Sequence, residues 1–343
     1  MSTVYLNAAS HGLPSTETLA RMRDFATLEA QIGPLPAAEQ TADEIMSVDR
    51  VAADLIGAKA KDVAIASTTT ATWVGLAIRA VKPGQKVLVA AQEWGDNIRV
   101  LETLGAQVIA LPLSNDLSPW QDALQEDVAA ICVPLVSSIS GAHLPVEKLG
   151  ALPRPEGCAL IVDAAQALGQ VPVDVTALGA DAVVGTCRKW LRGPRGTSLL
   201  WRSPKSEAQF PMAALRPNDS NLMLRLGLGM ALKQVLTLGM DQVQSELRTR
   251  RDTIVNAAKD IGIQPWASLQ TGAVCLAVPG ALKTSVFTAL KTAGVVAKFP
   301  APDRDEPLGP AGPPDHVPLR FSPHLYTTDA QIDMAMAALR TAL

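Results

Sequence analysis

Apolar residues along the chain alternate between short continuous runs and longer stretches in which they recur at helical spacing. Val63-Ala64-Ile65-Ala66, Val87-Leu88-Val89-Ala90, residues 107–111 and 129–133, Cys158-Ala159-Leu160-Ile161-Val162 and Asp181-Ala182-Val183-Val184-Gly185 are runs of the first kind. Being apolar throughout rather than at every second position, they predict strands covered on both faces. Between them, residues 16–30 (through Leu19, Met22 and Ala26), 43–56 and 71–81 predict helices, and a loop with Gly33, Pro34 and Pro36 separates the first two. Strands alternating with helices in this way argue for an α/β fold, a mostly parallel sheet with helices on both faces.

After Trp201 the rhythm changes. A loop at 214–221 leads into one long helical stretch at 222–258, a strand-like run at 273–278, a helical stretch at 284–293 and a closing helix at 329–343. This predicts a large domain over residues 13–235 and a small α+β domain from 236 to 343, with the boundary inside the long helix. Residues 303–318, crowded with Pro, Gly and Asp, predict a mobile loop able to cover a site. Gly227-Leu228-Gly229 has no strand before it and falls within a helical pattern, so helix packing explains it better than nucleotide binding.

Composition narrows the class. At 343 residues the chain can bury a sizeable core, and a net charge of -3 with interspersed signs leaves no basic field for nucleic acid and no Lys/Arg cluster for a membrane surface. Nothing holds eighteen uninterrupted apolar residues and the N-terminus lacks a basic segment followed by an apolar one, so the expectation is a cytoplasmic protein whose partners are small molecules and itself. Cys132, Cys158, Cys187 and Cys275 lie far apart in or beside strand-like runs, which predicts buried free thiols, and the four histidines show no ligand spacing for a metal.

The chemistry concentrates after two of the predicted strands. Asp163 follows one at its C-terminal end, where open α/β sheets collect ligand groups, and Lys189 follows the next. A carboxylate there can bond a protonated ring nitrogen, and a lysine amine can condense with an aldehyde and carry a proton, the two requirements of a pyridoxal phosphate site. Singly, each residue has an ordinary reading, a turn Asp and a solvated Lys; it is the pairing, with Gln166 three residues after Asp163 and Thr186 three before Lys189, that points to a site. Thr68-Thr69-Thr70, opening the 71–81 helix, offers N–H groups and a helix dipole for a phosphate, or serves as a plain cap.

Val162-Asp163-Ala164-Ala165-Gln166-Ala167-Leu168-Gly169, Gly179-Ala180-Asp181-Ala182-Val183 and Arg188-Lys189-Trp190-Leu191-Arg192-Gly193-Pro194-Arg195-Gly196 together resemble the class V aminotransferase and cysteine desulfurase family. The likeness runs from Tyr5-Leu6-Asn7-Ala8-Ala9 to Leu319-Arg320-Phe321-Ser322-Pro323-His324, and the spelling around Lys189 is most similar to the hercynylcysteine sulfoxide lyases of ergothioneine biosynthesis. The resemblance implies a fold-type I pyridoxal phosphate enzyme with a seven-stranded sheet, a small domain that also takes in residues 1–12, and a homodimer.

It further implies roles. Lys189 becomes the Schiff-base and catalytic residue, Asp163 the partner of the ring nitrogen, Gln166 the contact of the ring hydroxyl, and Trp94 the aromatic stacked on the ring. Thr69, Thr70, Thr186 and Arg188 meet the phosphate, although many relatives have His where Arg188 stands. Arg320, whose guanidinium can grip a carboxylate by two parallel bonds, is the leading substrate-binding residue, with His11 and Arg225 behind it. Residues 218–221 would reach the phosphate of the partner subunit.

Two departures from the family bear on the reaction. The nucleophilic Cys of cysteine desulfurases has no counterpart in residues 297–318, and Ser138 stands where Asn is frequent. The expectation is therefore a carbon–sulfur β-lyase acting on an amino acid, with aminotransferase and epimerase as alternatives. A catalytically silent protein on the same scaffold is the alternative of another class.

Overall fold

A computed structural model describes residues 3–125, 127–217, 220–267 and 269–343. In chain order its strands are β1 (Val4–Tyr5), β2 (Val63–Ala66), β3 (Lys86–Ala90), β4 (Gln107–Leu111), β5 (Val128–Pro134), β6 (Ala159–Asp163), β7 (Ala182–Thr186), β8 (Ser198–Arg202), β9 (Gln264–Pro265), β10 (Val274–Pro279), β11 (Val295–Val296) and β12 (His316–Phe321). Seven of them form the central sheet in the order β2-β8-β7-β6-β5-β3-β4. β8 is antiparallel to both neighbours and the other pairings are parallel, so β2 runs in the same direction as β3 to β7. The α/β expectation is met.

The apolar runs are continuous because both faces of the sheet are covered. Along β6, Leu160 and Val162 pack with Ile131, Val133, Leu168 and Trp190 on one face, while Ala159 and Ile161 pack with Cys132, Val184, Trp73, Leu76 and Leu101 on the other. Trp73 and Leu76 belong to the helix Thr69–Ala80 and Leu101 to the helix Gly95–Thr103, each following a strand of the sheet. Every position of β6 and of β7 is buried. A separate apolar cluster joins β10 and β12 to Val4, Leu6, Ile254 and Ile332, and a three-stranded antiparallel sheet β12-β10-β9 lies within it. The N-terminal residues enter it through β1, which pairs with β11.

Several expectations need correction. The long helix at 222–258 is two, Leu222–Leu238 and Met240–Lys259, bent by 86° at Gly239, whose φ of 83° breaks the helical hydrogen bonding. Residues around Pro34 and Pro36 form a short helix, Pro34–Gln40, since proline is pre-set for a first helical turn and Gly33 at φ 90° turns the chain into it. In the helix Thr16–Ile32, Thr18 and Phe25 are buried while Leu19 is exposed, so the apolar stripe read from Leu19, Met22 and Ala26 is not the buried face. Loop 214–221 begins inside the short helix Met212–Leu215; the expected reach of 218–221 toward a partner falls partly on Asn218 and Asp219, outside the described residues. Gly227 and Gly229 do pack a helix: side chains there would meet Met22 and Val48. No single helix among the described residues is long and apolar enough to cross a membrane.

The N-terminal segment lies directly against the turn that carries Lys189. Gly12 donates its N–H to the Arg188 carbonyl (2.8 Å), and a Cβ on Gly12 would overlap the Lys189 carbonyl oxygen. Because that neighbour is backbone and cannot rotate away, Gly12→Ala is expected to lower stability by about 1–3 kcal/mol, measured as a shift in the urea unfolding midpoint at constant slope.

Candidate active site

With β2 running in the same direction as β3 to β7 across the antiparallel β8, the C-terminal ends of β2, β3, β5, β6 and β7 open on one cleft of about 490 Å³. This is the edge of an open α/β sheet at which ligands bind. Thr68, Thr69 and Thr70 reach it from the end of β2, Trp94 and Asn97 from the end of β3, Asp163 and Gln166 from β6, and Thr186, Arg188 and Lys189 from β7; His11, Lys298 and Arg320 close it from the other side. Arg225 is not among the lining residues. Its guanidinium is held by Asp49 (2.7 Å) and the Ile45 carbonyl (3.1 Å), so it ties two helices together, and the expected substrate role is withdrawn.

Lys189 is presented by a tight turn. Arg192 N–H bonds the Lys189 carbonyl (3.0 Å) and Gly193 N–H the Cys187 carbonyl (2.9 Å), while Arg192 takes a left-handed φ of 57° and lays its guanidinium over the Tyr326 ring at 5.2 Å. Next to Lys189, Trp190 is fully buried; its indole N–H donates to Gln166 Oε1 (3.0 Å), and Gln166 Nε2 donates to the Ala9 carbonyl (3.1 Å). His324 completes this support. Leu325 N–H bonds its Nδ1 (2.9 Å), which leaves Nε2–H to donate to the Trp190 carbonyl (3.0 Å), and burial pushes its pKa down to about 3 so that it stays neutral.

The Lys189 amine makes no hydrogen bond or ion pair among the described residues, and burial, helped by the Arg188 charge and opposed by Asp163, brings its pKa down to about 7. Asp163 is held at both oxygens: Ala165 N–H bonds Oδ1 (2.7 Å) and Asn97 Nδ2 bonds Oδ2 (3.0 Å). Burial raises its pKa, while Lys189 and these donors oppose the rise. Arg320 is buried, donating to the Ser138 carbonyl and to Ser10 Oγ (3.1 Å), and its Nε has no partner. The nearby Ser138 hydroxyl is likewise without a partner. His11 accepts from Arg195 Nε at Nε2 (3.0 Å), and burial together with Arg188, Arg195 and Lys189 lowers its pKa to about 4.

At the end of β2, Thr68 caps the helix Thr69–Ala80 by accepting from Ala71 N–H (3.1 Å), and Thr69 Oγ1 lies 3.3 Å from Ser198 Oγ. The first N–H groups of the helix are turned toward the cleft end, where helix geometry favours an anion. Trp94 is half-buried and fixed through its indole N–H to Asp96 (3.2 Å).

The segment expected to be a mobile loop is anchored at its start. Its first part is the helix Pro302–Asp305, followed by a buried Glu306 that accepts from Ser137 Oγ (2.8 Å), Ser138 N–H (2.6 Å) and Ile139 N–H (3.0 Å). Asp305, also buried, pairs with Lys298 (3.0 Å) and Arg304 (2.8 Å), and the chain runs so close to Gly95 that a Cβ there would overlap the Arg304 carbonyl. Sequence reasoning gave no role to Glu93, Asn97, Lys298 or Glu306. For Glu93 and Asn97 the only signal was their separation of four residues where a helix begins; Glu306 meets Ser137 to Ile139, far away in sequence, and the pairing of Lys298 with the nearby Asp305 follows no periodic pattern.

A buried lysine amine without a partner, a carboxylate held by two donors and influenced by that amine, a helix N-terminus and a buried guanidinium with a free N–H form a donor set that fits pyridoxal phosphate and an amino acid. The comparisons agree. The profile of the family described as Aminotransferase class-V matches residues 4–215, and the chain belongs to this family of pyridoxal phosphate enzymes. It is 26% identical over 385 residues to the cysteine desulfurase IscS of Pectobacterium carotovorum, covering 99% of this chain and 92% of that one. It is 25% identical over 365 residues to a probable hercynylcysteine sulfoxide lyase of Mycobacterium tuberculosis, covering 98% and 89%. Among solved structures, the apo cysteine desulfurase of Thermococcus onnurineus NA1 superposes with a TM-score of 0.85 at 18% identity, covering 99% and 94%, a likeness of fold.

The lowered pKa of Lys189 has a consequence for the cofactor-free protein. A buried lysine that prefers to be neutral binds fewer protons folded than unfolded between about pH 7 and its ordinary value of 10.5, so its contribution to stability falls as pH drops through that window and is level below it. Lys189→Met is therefore expected to gain stability over the wild type as pH falls from about 10.5 to about 7, measured by urea unfolding of both apo-proteins across that range. A difference that does not change with pH would contradict the buried, partnerless amine.

Proposed function

We propose that this enzyme is a carbon–sulfur β-lyase acting on an S-substituted cysteine or its S-oxide, giving pyruvate, ammonia and a sulfur product. The observation that carries the choice is where the thiols are. Cys132, Cys158, Cys187 and Cys275 are all buried, and no cysteine is among the residues lining the cleft. Burial raises the Cys158 pKa to about 11 and those of Cys187 and Cys275 to about 12, and places that of Cys132 well above the ordinary thiol range, so none is a thiolate near neutral pH. The resemblance to cysteine desulfurases implies a nucleophilic cysteine in the region of residues 297–318, where this chain has none. Without that acceptor, the sulfur substituent leaves with its own electron pair instead of passing to the protein.

Pyridoxal phosphate, when bound, supplies an aldehyde that condenses with the substrate amine and an electron-poor ring that takes up electrons from the α-carbon. The chain's own groups do the rest. Lys189 Nζ, with its pKa near 7, is available as a neutral amine to accept the α-proton. Asp163, fixed by Ala165 and Asn97, presents a negative charge for the ring nitrogen. Arg320, whose Nε–H has no partner, is the group for the substrate carboxylate, and the helix start at Thr69 with Arg188 would receive the phosphate. Gln166 and Trp94 are the groups for the ring hydroxyl and the ring face. The likeness to a hercynylcysteine sulfoxide lyase supports a sulfoxide substrate. The proposal includes a homodimer, supported by the exposure of Leu35 and Met46 on adjoining helices.

The test is pyruvate release from cysteine S-conjugates and their S-oxides, hercynylcysteine sulfoxide included, by protein loaded with pyridoxal phosphate. Pyruvate is the expected product; conversion of the cofactor to its amine form without pyruvate would replace the lyase reading by transamination. Lys189→Ala is expected to abolish turnover while the far-UV circular dichroism is retained. Arg320→Lys, which loses the planar fork, is expected to raise KM for the amino acid about tenfold or more, and an unchanged KM would remove Arg320 from the substrate site.

A further inference from the structure

Behind Asp163 lies a second carboxyl group that the mechanism above does not use. Glu93 is completely buried at the end of β3, one residue before Trp94 and outside the cleft lining. Its Oε1 accepts two bonds, from Trp94 N–H (2.9 Å) and from Asn97 Nδ2 (2.7 Å), while Oε2 is buried without a partner. The same Asn97 Nδ2 donates to Asp163 Oδ2 (3.0 Å). One amide NH₂ group therefore spends both its hydrogens on two carboxyl groups, one facing the cleft and one behind it.

Both carboxyl groups cannot comfortably be charged across a single neutral amide in the interior. Asp163 has the Ala165 N–H and the Lys189 charge on its side. Glu93 faces Asp163, Glu306 and the Cys132 thiol, with no cation among the groups acting on it, and its second oxygen has no donor. Burial and the Asp163 charge push its pKa up to about 8. The proton belongs on Glu93, on the oxygen that has nothing to accept.

We propose that Glu93 is a positioning residue, a neutral buried acid that fixes the Asn97 amide so that its second hydrogen is aimed at Asp163 and a single negative charge is presented to the ring nitrogen of the cofactor. Asn97 cannot be held this way by its own backbone, because a free amide rotates about its terminal torsion. Glu93 lies in the turn after β3, just ahead of the helix Gly95–Thr103, and reaches forward to Asn97 in that helix's first turn. The arrangement keeps the acid out of reach of solvent and substrate, so it acts only through Asn97 and Asp163.

The inference rests on pyridoxal phosphate as the bound group, and its test separates the two. Dissociation constants are measured for apo-protein with pyridoxal phosphate and with its 1-deaza analogue, in which carbon replaces the ring nitrogen, for the wild type, Glu93→Gln and Glu93→Leu. If the wild type binds neither ligand, the cofactor assignment fails first. With that assignment intact, Glu93→Leu is expected to bind pyridoxal phosphate about tenfold more weakly, the scale of a misaligned bond to a charged group, and to bind the deaza analogue as the wild type does. Glu93→Gln, which keeps the acceptor oxygen and cannot ionise, is expected to bind both ligands as the wild type does. An equal loss with both ligands for Glu93→Leu would show a merely structural role and overturn the proposal, as would no loss with either. Should Glu93→Leu not fold, Glu93→Gln still decides: a selective loss of pyridoxal phosphate affinity would mean that the ionised carboxylate is required.

Discussion

The burial of charge at the end of β6 is the constraint around which the rest of the molecule is arranged. Asp163 terminates a strand whose every residue is buried, and a carboxylate in that place is tolerated only if donors meet it. The backbone N–H of Ala165 meets one oxygen and Asn97 the other, and Lys189, in its protonated form, opposes the rise of the Asp163 pKa. Each of these depends on something further away: Asn97 on Glu93, Lys189 on the turn closed by Arg192 and Gly193, and that turn on His324 and Gly12. A site of this kind is costly to assemble and, once assembled, rigid.

The same economy governs the far side of the cleft. Arg320 enters from β12, paired in register with Cys275 of β10, and is buried with its Nε unsatisfied. Its anchor is the Ser138 carbonyl, and the turn that presents this carbonyl is itself held by the Glu306 carboxylate through two backbone N–H groups and the Ser137 hydroxyl. Arg320 of the three-stranded sheet and Glu306 of the segment before it thus both hold the turn that follows β5 of the central sheet, at the edge of the cleft.

Most of the central sheet was legible in the sequence because strands such as β5, β6 and β7 are buried on both faces, which makes each a continuous apolar run that no loop would carry; β8 was not read. Asp163 and Lys189 were legible because the sheet's polarity puts the end of each such run at the ligand edge, and the resemblance to class V enzymes extended the same logic to Thr69, Trp94, Gln166 and Thr186. Arg225 was misread for the opposite reason. Nothing in a sequence says that a helix arginine has Asp49 from another helix at 2.7 Å, and an arginine already paired inside the fold has no claim on a substrate. The break at Gly239 was missed because both halves of the stretch are helical by pattern, and only the packing of the second half reveals the bend.

What the sequence determined by itself, then, is six of the seven strands of the central sheet and the placing of Asp163 and Lys189 after two of them at the ligand edge, since both follow from local patterns of a few consecutive positions. The tertiary structure decided everything that depends on residues far apart meeting: that Glu306 would lock Ser137 to Ile139, that Glu93 and Asp163 would share one asparagine, and that all four thiols would be sealed away from the cleft. The physical reason is that burial and partnership set the charge state of an ionisable group, and neither is a property of the residue or its neighbours in the chain.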